Sequence, residues 1–341
     1  MKNTLSWGVI GTGGIAGDFT EALKLSRRCR VVSVAGSTRA KAEAFAARFA
    51  IPRAAGSLEE LLADRDVEAV YVATPHPLHE AHALACIGAG KAVLCEKPMT
   101  MDAAGTERVI AAARSARVFL MEAFMYRCHP LVRQVLARLA EGIIGPLRHL
   151  RADFGFRVPR DPQGRLFNLA LGGGGILDVG GYPVSFARLL GGVVEGIPFA
   201  EPVQITASGV RGPTGADELA TAQLVFRSGF TASVGCAVFH DLGTEAVVFG
   251  EQGKLLLPNP WIPGGVRQEL ESSYTLVRDG KPPETITIRT DKATYAIEAE
   301  IVADSLPGSE PAWPAMTWAD SLGNMRVLDA WSIALGGRVK A

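Results

Sequence analysis

Gly11-Thr12-Gly13-Gly14-Ile15-Ala16 follows a short apolar run and precedes Phe19, Ala22 and Leu23 at helical spacing. It fits G-x-G-x-x-A between a strand and a helix. The first glycine permits a tight turn, the second admits a pyrophosphate to the backbone, and the small Ala16 lets helix and strand pack closely. Main-chain N–H groups at the start of the helix then face the anion. The spacing predicts a dinucleotide site. Where a second strand should end, the chain reads Gly36-Ser37-Thr38-Arg39, then Lys41, with no carboxylate before Glu43. An acidic residue there would bond the ribose hydroxyls of NAD and repel a 2′-phosphate. Hydroxyls and a guanidinium suit that phosphate instead, so NADP is expected, with NAD as the alternative.

Cys95-Glu96-Lys97-Pro98 closes another apolar run. The carboxyl ends of parallel strands are where such sheets meet their ligands. A lysine there can polarise a hydroxyl or carbonyl oxygen, and desolvation makes it a better proton acceptor. Pro98 fixes the turn; the sequence does not decide whether its peptide bond is cis. His76, His79 and His82 lie close together, but no carboxylate or thiolate at ligand spacing completes a metal site. No metal is expected. The five cysteines (Cys29, Cys86, Cys95, Cys128, Cys236) form no C-x-x-C pair and read as buried reduced thiols.

These groups need a frame. Apolar runs at 5–10, 30–36, 67–74, 92–96 and 118–122 alternate with helical patterns. The alternation implies parallel βαβ units covered by helices on both faces. Ser57 and Glu60 make an S-x-x-E capping box. This half is expected to occupy residues 1–127. Residues 128–341 read differently, with helices near 131–141 and 176–190 followed by strands at 203–210, 219–227, 230–238, 244–249 and 253–257. Helices at 294–305 and 317–335 close the chain. Along 230–238 large residues alternate with Thr231, Ser233, Gly235 and Ala237, an antiparallel pattern with one bulky and one small, uncharged face. The missing charges predict that another subunit covers the small face.

Composition bounds the partners. Lys plus Arg and Asp plus Glu number 35 each, so no bulk field favours nucleic acid or an anionic membrane. No apolar run reaches the roughly 18 residues of a membrane span, and the N-terminus is a poor secretory signal. A cytoplasmic protein with a small-molecule substrate is expected.

GVIGTGGIA, YVATPHPLHEAHALACIGAGKAVLCEKP, MEAFMYRCHP and GGGGILDVGGYPVS together resemble the glucose–fructose oxidoreductase/inositol dehydrogenase/MocA family over nearly the whole chain. The third and fourth segments look most like its branch of dimeric dihydrodiol dehydrogenases and NADP-dependent D-xylose dehydrogenases. The resemblance implies an N-terminal Rossmann domain and a C-terminal α+β domain on a large, mostly antiparallel open sheet. That sheet would serve oligomerisation, as a homodimer or homotetramer. It makes Lys97 the catalytic lysine and matches Asp178 and Tyr182 to the family's D-x-x-x-Y element. It sets Thr74, Pro75, His76, His79 and Glu96 on the nicotinamide side of the cofactor. Tyr126 and Arg127 match the linker motif, and Arg165 and Phe167 the segment before the glycine run, all four as substrate contacts.

On one helix Asp178 and Tyr182 would share a face, and Gly172 to Gly175 would let backbone approach a ligand. A phenol is almost wholly protonated at pH 7 and so is ready to donate to a carbonyl. In the oxidative direction it needs a cation; a lysine at about 4 Å contributes roughly 4 kcal/mol at an effective dielectric near 20. Tyr182 and Lys97 are therefore expected to form an acid/base pair in hydride transfer with a sugar, cyclitol or cyclic diol. Which of them moves the proton stays open. Asp178 would orient a substrate hydroxyl or the lysine. The rival readings are an NAD(P)-dependent glycosidase and a non-catalytic NADP(H) sensor.

Overall fold

The computed structural model describes residues 4–265 and 269–337. Two compact units emerge, and neither is one continuous stretch. The first holds residues 1–100, 104–128 and 291–321; the second holds 101–103, 129–290 and 322–341. The segment 291–321, expected in the C-terminal domain, thus belongs with the first unit.

In chain order the first unit contains β1 (Leu5–Ile10), α1 (Gly14–Leu23), β2 (Cys29–Ala35), α2 (Arg39–Phe49), β3 (Arg53–Ala55), α3 (Leu58–Ala63), β4 (Ala69–Val72), α4 (His76–Gly88) and β5 (Ala92–Glu96). Then come α5 (Ala103–Ala116), β6 (Leu120–Ala123) and α6 (Met125–Cys128). All strand pairs are parallel, in the order β3-β2-β1-β4-β5-β6. This is the Rossmann order, with its switch point between β1 and β4. The strands are buried along nearly their whole length, as the unbroken apolar runs predicted. Only β3, too short to leave a pattern, escaped the sequence reading.

The core is aromatic where α1 meets the sheet. Phe19 lies edge-on to Trp7 at 5.4 Å and stacks on Tyr71 at 4.0 Å, and all three are fully buried. Ala299, Val302 and Ala315 from the returning segment join this core. Their small side chains let a helix lie close against α1, which explains why that segment folds with the nucleotide half.

The second unit opens with α7 (Pro130–Ala140) and β7 (Leu147–Arg157), followed by α8 (Gly181–Glu195). Six strands come next: β8 (Pro202–Arg211), β9 (Asp217–Phe226), β10 (Thr231–Ala237), β11 (Phe239–Gly243), β12 (Ala246–Gly250) and β13 (Gly253–Leu257). β14 (Glu271–Arg278) and β15 (Glu284–Arg289) complete the sheet, ordered β15-β14-β13-β12-β7-β10-β9-β8 with β11 beside β7. Helix α9 (Thr294–Ser305) lies in the first unit, and α10 (Trp318–Ala334) begins there.

Two expectations change here. β10 is antiparallel to β9 but parallel to β7, so the sheet is mixed at its centre. The face shared by Thr231, Ser233 and Gly235 is also not free of charge. The register sets His149, Arg151 and Asp153 of β7 beside them, and Arg151 pairs with Glu245. One strand's pattern reports its own side chains and not its neighbour's. β7 itself went unassigned because Arg148, Arg151 and Asp153 interrupt its apolar residues. From His149 onward the strand alternates, with His149, Arg151 and Asp153 outward and Leu150, Ala152 and Phe154 inward, and a register shift at Arg148 breaks the pattern before it.

Candidate functional site

The glycine turn leaves β1 and enters α1. Gly11 has φ +110°, and a Cβ there would lie 2.4 Å from the Ala73 carbonyl oxygen. Only glycine lets the first turn pass so close to the end of β4. Gly13 and Gly14 are the opposite case, since a Cβ at either meets nothing within 4 Å. Gly13 stands at the N-cap of α1 and no side chain caps the helix. The first turn therefore presents unclaimed main-chain donors to open space, a cradle that fits a pyrophosphate. Ile15 is half-buried, and Ala16 is fully buried beneath the turn.

Beyond β2, Thr38 caps α2 by accepting from the Lys41 N–H at 3.3 Å, and the Lys41 ammonium donates to the Ser37 hydroxyl at 3.1 Å. Arg39 pairs with Glu60 at 2.8 Å, both half-exposed. The capping box is only half realised: Ser57 accepts from the Glu60 N–H, while the Glu60 carboxylate accepts from Gly56 and Arg39. An exposed pair of this kind contributes about 0–1 kcal/mol, so the guanidinium remains available to an anion.

At the ends of β4 and β5 the histidines find main-chain partners. Buried His79 sets Nδ1 2.8 Å from the Pro98 carbonyl oxygen and Nε2 2.7 Å from that of Thr74. A neutral imidazole can donate to only one of them. Burial pulls the ring's pKa down, and the two carbonyls pull it up. His82 meets the Thr74 hydroxyl at 3.1 Å, and Pro75 precedes α4 at its N-cap, with His76 edge-on to His79. The Lys97–Pro98 bond is cis. Glu96, 8% exposed, accepts from the Tyr71 hydroxyl at 2.5 Å and from the Lys97 N–H at 3.2 Å. Burial and the Glu96 charge push the Tyr71 phenol well above its usual pKa, so it stays a donor. Glycine turn, histidine loop and Lys97 thus share one edge of the first sheet, at the carboxyl ends of adjacent strands β1, β4 and β5.

In the second unit Asp178 lies in a π-helical turn, Ile176–Gly180, immediately before α8. The wider turn alters the 3.6-residue offset that the spacing assumed between Asp178 and Tyr182. Such turns occur often at functional sites. Asp178 is buried and accepts from Arg165 at 2.7 Å; the arginine is 55% exposed. Tyr182, 5% exposed, packs edge-on to Phe154 at 5.2 Å and tilted against Trp261 at 6.3 Å. Phe167 is buried against Phe239.

The glycine run serves the protein's own chain. A Cβ on Gly174 (φ +123°) would overlap the Asp217 carboxylate, which accepts from the Ile176 N–H at 2.7 Å. Gly173 abuts the backbone of Asn168 and Leu166, and Gly175 that of Ala237. Asp217, which builds the π turn, carried no sequence signal. Tyr126 and Arg127 are fully buried in the first unit. Arg127 donates to Asp320 at 2.5 Å and to the Pro314 carbonyl at 2.6 Å, an internal tie. All five cysteines are free and buried. Among the described residues no helix is long and apolar enough to cross a membrane.

Residues 5–124 match a family model described as an oxidoreductase family with an NAD-binding Rossmann fold, and residues 132–256 match the GFO/IDH/MocA C-terminal domain. The chain is 41% identical to trans-1,2-dihydrobenzene-1,2-diol dehydrogenase of Mus musculus over 76% of each chain. The Xenopus tropicalis protein of the same name is 34% identical over 92% of this chain and 93% of its own. A 3-ketoreductase from Actinomadura kijaniata, solved with NADP and TDP-benzene, superposes with a TM-score of 0.84 at 29% identity, covering 98% of each chain. An aldose-aldose oxidoreductase from Caulobacter crescentus gives 0.85 at 26% identity over 99% of this chain and 100% of its own. With a Rossmann sheet, an open glycine cradle and both family domains in sequence, the chain belongs to the GFO/IDH/MocA family of NAD(P)-dependent oxidoreductases.

Proposed function

We propose that the protein uses NADP(H) to move a hydride to or from a CH–OH or carbonyl carbon of a sugar, cyclitol or cyclic diol. One observation carries the reading: an open glycine cradle, a histidine-buttressed loop and Lys97 meet at the carboxyl ends of β1, β4 and β5. The names of the relatives, a dihydrobenzenediol dehydrogenase, a 3-ketoreductase and an aldose-aldose oxidoreductase, support the substrate class. Structures of the A. kijaniata ketoreductase in which a lysine and, separately, a tyrosine were replaced support the choice of Lys97 and Tyr182.

Gly11 to Ala16 would hold the pyrophosphate. Ser37, Thr38, Arg39 and Lys41 would take the 2′-phosphate, with no carboxylate at the end of β2 to repel it. Thr74, Pro75, His76, His79 and Glu96 would border the nicotinamide. When bound, the dinucleotide supplies the hydride acceptor or donor. Tyr182 exchanges a proton with the substrate oxygen through its phenol, and the Lys97 ammonium stabilises the oxygen's developing negative charge. Asp178, held by Arg165, accepts from a neighbouring substrate hydroxyl. Phe167 borders that group, and the outer face of the second sheet meets a second copy of the chain.

The experiment is NADP reduction, and the reverse reaction, over a panel of aldoses, cyclitols and cyclic diols. Tyr182→Phe and Lys97→Ala should each lower turnover on the best substrate by about 10²–10⁴ while NADP(H) still binds. Turnover of aryl glycosides without added NADP would replace this reading by a glycosidase. Tight NADP(H) binding with no oxidoreductase activity across the panel would replace it by a sensor.

A further inference from the structure

Three successive residues of the turn that carries Lys97 are held by side chains of the first unit. The Lys97 N–H donates to Glu96, the Pro98 carbonyl faces His79, and the Met99 N–H donates to Glu122 Oε1 at 2.9 Å. Glu122 is the least expected of the three. It sits on β6 in register with Cys95 of β5, and it is 3% exposed. Its second oxygen, Oε2, makes no hydrogen bond of ordinary geometry, although the Ser321 hydroxyl is near enough to the carboxyl to favour its charged form. An apolar residue at this buried position of the edge strand β6 would cost less to bury, since a buried polar group is penalised unless it is bonded. A carboxyl kept there has one visible employment, the main-chain donor of Met99, two residues beyond Lys97.

We infer that Glu122 is a positioning residue for Lys97: by holding the Met99 N–H it fixes the path of the Lys97–Pro98 turn and so the place from which the ammonium acts. This rests on the assignment of Lys97 to the chemistry.

The groups that bear on the Glu122 carboxyl are few. Burial raises its pKa to about 7; Ser321 and the Met99 N–H lower it, Asp320 raises it and Arg127 lowers it. The Cys95 thiol on the neighbouring strand feels the Glu122 charge in turn, but burial already holds it well above its usual range. Neutral and ionised forms both offer Oε1 as an acceptor. The amide of glutamine offers the same oxygen, whereas leucine fills the volume and offers none.

The test compares Glu122→Leu with Glu122→Gln in the full chain, reading kcat on the best panel substrate and the NADP(H) dissociation constant by fluorescence. A turn displaced by a fraction of an ångström to 1 Å should lower kcat of the leucine variant by about 10–100-fold, with the dissociation constant within about threefold of wild type. The glutamine variant should recover kcat to within about threefold. If Glu122→Leu does not fold, Glu122→Asp, which withdraws the acceptor by one methylene, is read in the same way. Wild-type kcat in the leucine or aspartate variant overturns the inference, as does an equal loss in the glutamine variant. Lys97→Ala separates the two proposals. If it is inactive while Glu122→Leu is fully active, only the positioning role fails; if it retains turnover, the assignment of Lys97 fails first.

Discussion

Replacing Asp320 by Asn should destabilise the nucleotide-binding unit more than any change to its surface charges. Arg127 and Asp320 are 0% and 1% exposed, and their charged atoms stand 2.5 Å apart. At an effective dielectric near 20, two unit charges at that distance attract by about 7 kcal/mol before desolvation is counted. Desolvation consumes most of this, so the pair is worth little beside a well-packed apolar replacement. Removing one member is different, because it takes the countercharge at 2.5 Å from the other and costs about 3–5 kcal/mol. The Pro314 carbonyl still accepts from the Arg127 Nε–H, but it carries no countercharge. At about 2–4 °C per kcal/mol for a unit of this size, the transition should fall by about 6–20 °C. Arg127→Met combined with Asp320→Leu should return to within about 2 kcal/mol of wild type. Scanning calorimetry on the four members of the cycle reads these values. A transition within about 2 °C of wild type for Asp320→Asn would refute the argument, since one kcal/mol or less is what an exposed pair yields. Substrate KM gives an independent reading: a large rise in the double variant, at preserved stability, would support Arg127 as a substrate contact.

Other outcomes follow from single positions. Gly11→Ala forces a left-handed residue against the Ala73 carbonyl and should cost at least about 2 kcal/mol by chemical denaturation. Gly14→Ala, with open space around it, should leave stability unchanged or raise it by about 0.5–1 kcal/mol, yet weaken NADP(H) binding by filling the cradle; unaltered affinity would remove that glycine from the site. Arg39→Asp should raise the KM for NADP by about 10–100-fold and leave that for NAD much less changed, the worth of one charge-assisted hydrogen bond. Glu122, with its pKa raised from 4.5 to about 7, keeps a proton in the folded chain that the unfolded chain releases earlier. Its contribution is therefore whole below pH 4.5 and lost as pH rises through 7, by about 3 kcal/mol in all. Glu122→Gln should melt alongside wild type at pH 4.5 and progressively above it up to pH 8; parallel melting curves across that window would contradict the raised pKa.

How much of this was legible beforehand depended on whether a residue's task is local. The glycine turn could be read because its strand–turn–helix spacing lies within six residues, although the carbonyl that Gly11 must clear, that of Ala73, is far along the chain; the five longer strands of the first sheet could be read because burial on both faces leaves unbroken apolar runs. Groups whose partners lie far along the chain could not. Arg127 meets Asp320, which is 193 positions away. Gly174 looked like room for a ligand, because sequence does not reveal that Asp217 fills it. The π turn at Ile176–Gly180 was read as ordinary helix because one inserted residue leaves the apolar pattern almost intact. The return of 291–321 to the first unit was invisible since α9 is apolar on most sides, a pattern that identifies a buried helix but not what buries it.

Several of the first unit's departures from ordinary core chemistry gather at one place. Around Trp7, Phe19 and Leu94 the first unit is apolar and closely packed. Near the ends of β4, β5 and β6 it buries Tyr71, His79, Glu96 and Glu122, and Glu298 of α9 feels the Glu96 charge there. Burial and that charge push the Glu298 carboxyl well above its usual pKa, and neither of its oxygens has a hydrogen-bond partner. Both causes favour the protonated carboxyl beside Glu96, which accepts from Tyr71 and from the Lys97 N–H. Each such group lowers stability relative to an apolar residue of its size, so their collection beside one turn needs a cause other than stability. Three of them bind consecutive residues of the Lys97 turn, and a fourth, Tyr71, braces one of those three. Three buried side chains on three consecutive residues of one turn fix its backbone at a cost in stability, which is what a lysine whose position matters would require.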